Sequence, residues 1–153
     1  MSLEQDVRFL SQFPIFAQLE PEALRLIAFT AEKLSLAKDE TLFRRGESSE
    51  CSYVVLSGKL VCETGMEGEA AKMIIHSPAL IGELALIIAT QRPGDVSAME
   101  SASVMKIPRA LFLRVIREFP TGAEKLRSFL AGKLGVFSSE LDEARNKADL
   151  RAN

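Results

Sequence analysis

The chain has no tryptophan, one tyrosine, one histidine and two cysteines among its 153 residues. Each shortage excludes something. The lone His76, with Cys51 and Cys62 eleven residues apart and no Cys-x-x-Cys spacing, cannot assemble an ordinary zinc site, so no metal is expected. With that single imidazole, no nucleophilic triad and no carboxylate pair with an assignable base can be built, which points away from an enzyme. The two thiols read as free cysteines in a reducing compartment. No run of about 18 apolar residues occurs, so no membrane span is expected. The start, Met-Ser-Leu-Glu-Gln-Asp, lacks the basic segment and apolar run of a secretory signal. A cytoplasmic protein is the expectation. Lysine and arginine number 19 against 21 acidic residues, a net charge of −2. That balance argues against a broad nucleic-acid surface, although it leaves room for a small basic pocket.

What is present is a chain with enough apolar residues, 47% of the total, to fill one core. Its hydrophobic period changes twice. Over residues 1–32 the spacing of Val7, Leu10 and Phe13, then of Leu24, Ile27, Ala28 and Ala31, predicts helices. Pro14 is expected to stop the first, and Pro21 occupies a first-turn position of the second. Over residues 33–107 short alternating runs are cut by glycine and polar clusters, with Gly46, Ser57-Gly58 and Gly65 to Gly68 as turns. This predicts a small antiparallel β-barrel, a double-stranded β-helix or jelly roll. Over residues 108–150 the helical period returns in "PRALFLRVIREF", with Pro120 opening a last helix. Residues 1–153 therefore read as a single, mainly β, α+β domain: an antiparallel barrel flanked by helices. Along the last helix Leu126, Leu130, Leu134, Phe137, Leu141, Ala144 and Ala148 form a near-heptad seam, a candidate homodimer contact. Gly132 and Gly135 each cost about 1 kcal/mol there relative to alanine. They call for close helix contact or a deliberate weak point.

The segment that carries chemistry is "LIGELALIIATQRPGDVSA", residues 80–98. Apolar residues lead to Gly82, and "GELALIIA" reads as a turn opening a short helix. Unpartnered N–H groups at such a start favour an anion. Gly82 permits close backbone approach. Glu83 can accept from a sugar hydroxyl, and Arg92, ten residues after Gly82, can present a guanidinium fork to phosphate. The same residues equally allow an internal Glu83–Arg92 ion pair with no ligand at all.

Four stretches carry a wider resemblance: "FPIFAQLEPEALRLIA", "ETLFRRGESSECSYVVLSGKLV", "IGELALI" and "QRPGDVSA". Together they resemble the cyclic nucleotide-binding domain, the sensor module of catabolite activators, cyclic-nucleotide-dependent kinases and gated channels. The likeness spans roughly residues 9–137, with Gly46 and Gly58 at the family's turn glycines. It implies a phosphate-binding cassette over residues 80–98. Glu83 would bind the ribose 2′-hydroxyl and Arg92 the cyclic phosphate. Amides near Leu84 and Ala85 would complete the anion site beside Gly82. A residue between Leu126 and Phe137 would cover the base, and movement of the last helices, with Gly122, Gly132 and Gly135 as hinges, would pass the signal to an effector protein.

The cassette departs from the family pattern at Pro93, Gly94 and Asp95. Pro93 has no N–H to give a phosphate. Asp95 replaces a hydroxyl that helps hold guanine nucleotides, so the resemblance implies cAMP ahead of cGMP as ligand. An aspartate 4–6 Å from the phosphate would oppose binding by about 3–4 kcal/mol at an effective dielectric of 20, whereas one turned to solvent would cost little. These departures, with the heptad seam, leave a second reading: a barrel without ligand that serves as a protein-interaction or dimerisation module.

Overall fold

The computed structural model describes residues 2–65 and 71–133. The chain begins with helix α1 (Leu3–Leu10), closed at its start by a reciprocal capping box. The Gln5 N–H donates to Ser2 Oγ at 3.3 Å, and the Ser2 N–H donates to Gln5 Oε1 at 2.8 Å. Pro14 does not terminate this helix. It opens a separate short one, α2 (Pro14–Ala17), because its missing N–H costs nothing in a first turn. Pro21 does the same for α3 (Pro21–Thr30).

Eight strands follow: β1 (Glu32–Leu36), β2 (Thr41–Phe43), β3 (Cys51–Ser57), β4 (Lys59–Thr64), β5 (Ala71–His76), β6 (Ala79–Ile81), β7 (Gly94–Ala98) and β8 (Ala102–Pro108). All pairings are antiparallel. They form two four-stranded sheets, ordered β1-β8-β3-β6 and β2-β7-β4-β5. The jelly-roll expectation holds, but the closed barrel does not: these are two open sheets sharing a core. Helix α4 (Arg109–Glu118) and helix α5 (120–133) complete the described chain.

Strand β3 explains the layering. Cys51, Tyr53 and Val55 face the core between the sheets, with Leu60, Val96 and Val104. Val54 points the other way, into the helices, beside Phe16, Ile27 and Phe112. A strand buried on both faces reads as a continuous apolar run, which is why "YVVL" does not alternate. Burial of each such side chain stabilises by roughly 1.5–3 kcal/mol.

Ser57-Gly58 is a crossover and not a hairpin, since β3 and β4 belong to different sheets. Gly58 has φ +83°, and a Cβ there would lie 2.5 Å from the Ser101 carbonyl oxygen. Gly122 is a packing glycine: a Cβ would meet the Leu19 side chain at 3.3 Å. Close contact with the turn after α2 thus gives one reason for a glycine there. Among the described residues, no atom beyond its own helix turn lies within 4 Å of a Cβ placed on Gly132. Leu126 is 2% exposed inside its own molecule and packs with the helical core, so it is not a seam residue facing a partner. Leu134, Gly135, Phe137, Leu141, Ala144 and Ala148 lie outside the described residues.

Candidate ligand-binding site

Strand β6 delivers the chain to Gly82, whose φ of +74° only glycine adopts at low cost. A 3-10 turn over Glu83–Leu86 follows, with Leu86 fully buried against the helices. The Ser52 hydroxyl donates to the Gly82 carbonyl and pins the turn to β3. The Ala85 N–H is already spent on the Gly82 carbonyl at 2.9 Å. The amides of Glu83 and Leu84 have no backbone acceptor among the described residues.

Arg92 enters from the other end of the segment. Its N–H donates to the Glu47 carbonyl at 2.8 Å, and its carbonyl accepts from Gly46 at 2.9 Å, so the β2–β3 loop holds its backbone. The side chain runs inward and is 6% exposed. Nη2 donates to the Cys51 carbonyl at 2.7 Å, and the guanidinium lies 4.3 Å from the Phe43 ring centroid and 5.5 Å from that of Tyr53. Nη1 would lie 2.6 Å from a Cβ on Gly82, so the absence of a side chain at 82 makes room for it.

Arg92 pairs with no carboxylate among the described residues. The alternative of an internal Glu83–Arg92 ion pair is therefore not what the chain adopts. A buried cation without a counter-ion costs several kcal/mol, which one carbonyl and two aromatic faces offset only in part. An anion would complete it.

A cavity of about 310 Å³ adjoins this guanidinium. Cys62, Met73, Ile75 and Ile81 give it apolar walls, and Gly82, Arg92 and Pro93 border it as well. The larger cavity, about 620 Å³, lies on the side of Arg92 occupied by Glu47, Glu50, Lys106 and Arg109 and takes in neither Gly82 nor Pro93. The smaller one thus matches the segment picked out in the sequence. Its size falls at the lower end for small-ligand sites. Burial, followed by the charge of Asp95, raises the Cys62 thiol above its ordinary value of 9.0. Burial chiefly, with a hydrogen bond to Cys51 next, raises Tyr53 well above 10.0, while the Arg92 charge opposes this. Both side chains are neutral at pH 7.

The remaining expected site residues separate. Gly94 is a packing residue: a Cβ would lie 2.4 Å from the Glu63 carbonyl oxygen, in the β4–β7 pairing. Asp95 is exposed, and its Oδ1 accepts from the Arg45 N–H at 2.7 Å. It closes the end of β2 from outside and does not line the cavity. Ala85 is buried, while Leu84 is 46% exposed beside it. Glu83 points to α5, where Lys133 Nζ stands 2.7 Å from Oε1.

Sequence reasoning missed Lys133, the aromatic pair Phe43–Tyr53 and Arg109. No local pattern marks them, since each acts across a long stretch of chain.

Comparison with known proteins finds relatives in sequence and in fold. A cyclic nucleotide-binding-like protein from Brucella abortus is 32% identical with a TM-score of 0.69, over 74% of this chain and 98% of that one. The regulatory domain of Toxoplasma gondii PKA, solved with cAMP, is 26% identical with a TM-score of 0.68, over 74% of this chain and 44% of that one. The cyclic AMP receptor protein of Thermus thermophilus is 28% identical, over 88% of this chain and 65% of its own length. The lysophospholipase nte1 of Neurospora crassa is 29% identical over 85% of this chain, which spans only 9% of that protein. The family model of the cyclic nucleotide-binding domain matches residues 33–119, more than half of the sequence, and the chain belongs to that family of regulatory domains.

Proposed function

We propose that this chain is a cyclic-nucleotide receptor module with cAMP as its preferred ligand. The observation that carries the reading is Arg92: a buried guanidinium beside a small cavity, without a carboxylate partner among the described residues. It takes the cyclic phosphate. Glu83 takes the ribose hydroxyl, and the base lies against the apolar walls of the cavity. Asp95 is compatible with this because its carboxylate is engaged by the Arg45 N–H. The role is reception and not turnover; the lysophospholipase named among the relatives is a far longer protein. No described helix is long and apolar enough to cross a membrane. The Lys133–Glu83 contact gives the ligand a route to α5, and through it to an effector protein.

Isothermal titration of protein freed of nucleotide by unfolding and refolding tests the reading, with cAMP first and cGMP second. Heat with cAMP, lost in Arg92→Ala, is expected. No heat with either nucleotide on demonstrably folded protein overturns it.

A further inference from the structure

We propose that Arg109, the first residue of α4, is a positioning residue for the ligand site, acting through the two ends of residues 82–92. This rests on the reading of Glu83 and Arg92 as ligand-binding residues. One nitrogen of Arg109, Nη1, donates to the Ser49 carbonyl at 3.0 Å and to the Ala85 carbonyl at 3.2 Å. Its backbone N–H donates to the Glu50 carbonyl at 2.8 Å. Ser49 and Ala85 are both fully buried, so water does not readily replace the lost donor.

Ser49 is in turn bound to the far end of the segment. Its N–H donates to the Thr90 carbonyl at 2.7 Å, its hydroxyl meets that of Thr90 at 2.6 Å, and the Thr90 N–H donates to Ser49 Oγ at 3.0 Å. Two residues on, Arg92 hangs from Glu47 of the same loop. A single guanidinium nitrogen therefore links the turn that carries Glu83 to the loop that carries Arg92. A ligand that must meet both side chains at once gains from having their separation set before it arrives. Because Arg109 opens α4, a shift of the turn is also delivered to that helix.

The test is hydrogen exchange on ligand-free wild type and Arg109→Ala, together with titration of both by cAMP. Faster exchange confined to residues 80–92, with cAMP binding weakened by roughly tenfold or more, is expected. Exchange unchanged in that segment, or raised evenly over the whole chain, overturns the proposal. Should Arg109→Ala not fold, Arg109→Lys, which keeps a charge and a donor on a shorter stem, is read in the same way. If wild type itself takes no cAMP, the receptor reading falls, and the exchange pattern still decides the role of Arg109.

Discussion

Lys133 Nζ, on α5, stands 2.7 Å from Glu83 Oε1 on the short turn that follows β6. The lysine side chain is 51% exposed and the glutamate 33%, so solvent screens the pair and it contributes no more than about 1 kcal/mol. A ribose hydroxyl aimed at Glu83 competes for the same carboxylate. Lys133→Ala should therefore tighten cAMP binding by up to about fivefold while leaving the thermal midpoint nearly unchanged. Weaker binding in the variant would mean that Lys133 holds Glu83 in place for the ligand.

Pro93 borders the cavity next to Arg92 but has no N–H to offer. A hydrogen bond to a charged acceptor contributes about 1.5–3 kcal/mol. Pro93→Ala restores the donor, and titration should show cAMP bound about tenfold or more tightly. An unchanged affinity would place the phosphate away from residue 93.

Arg92 is buried, with no carboxylate partner among the described residues. Arg92→Met keeps the length of the side chain and removes the charge. It should abolish cAMP binding and leave the ligand-free protein as stable as wild type or more so, as measured by denaturant unfolding. A loss of several kcal/mol would instead make the Cys51 hydrogen bond and the Phe43 contact structural necessities.

Cys62 and Tyr53 both ionise at higher pH in the folded protein than in the unfolded chain, whose ordinary values are 9.0 and 10.0. The unfolded chain thus releases these protons first. The stabilisation they provide is complete below pH 9 and falls as pH rises beyond it. Thermal midpoints should be level from pH 7 to 8.5 and drop towards pH 10.5. Replacing Cys62 by Ala should remove the earlier part of the drop.

The order Gly82, Glu83, Arg92 marks a candidate site, because helix-start amides, carboxylate and guanidinium are local chemistry, but not that Glu83 turns to Lys133 while Arg92 turns inward to Cys51. Asp95 was not assignable. Its position near Arg92 left open a carboxylate facing the phosphate or one turned to solvent, and strand alternation turns it outward to the Arg45 N–H. Gly94 stood out only as a departure from the family pattern, and its missing side chain makes room for β4. Leu126 fitted a partner-facing seam, but a helical stripe reads the same whether it packs on its own domain or on another chain.

Periodicity and turn residues thus carried the order of helices and strands, since those preferences act within a few residues. The partition of strands between two open sheets, the burial of Arg92 without a carboxylate among the described residues, and the contacts of Lys133 and Arg109 arose only on folding. Each joins side chains from distant parts of the chain, and no local pattern encodes which distant groups a closed core brings within reach.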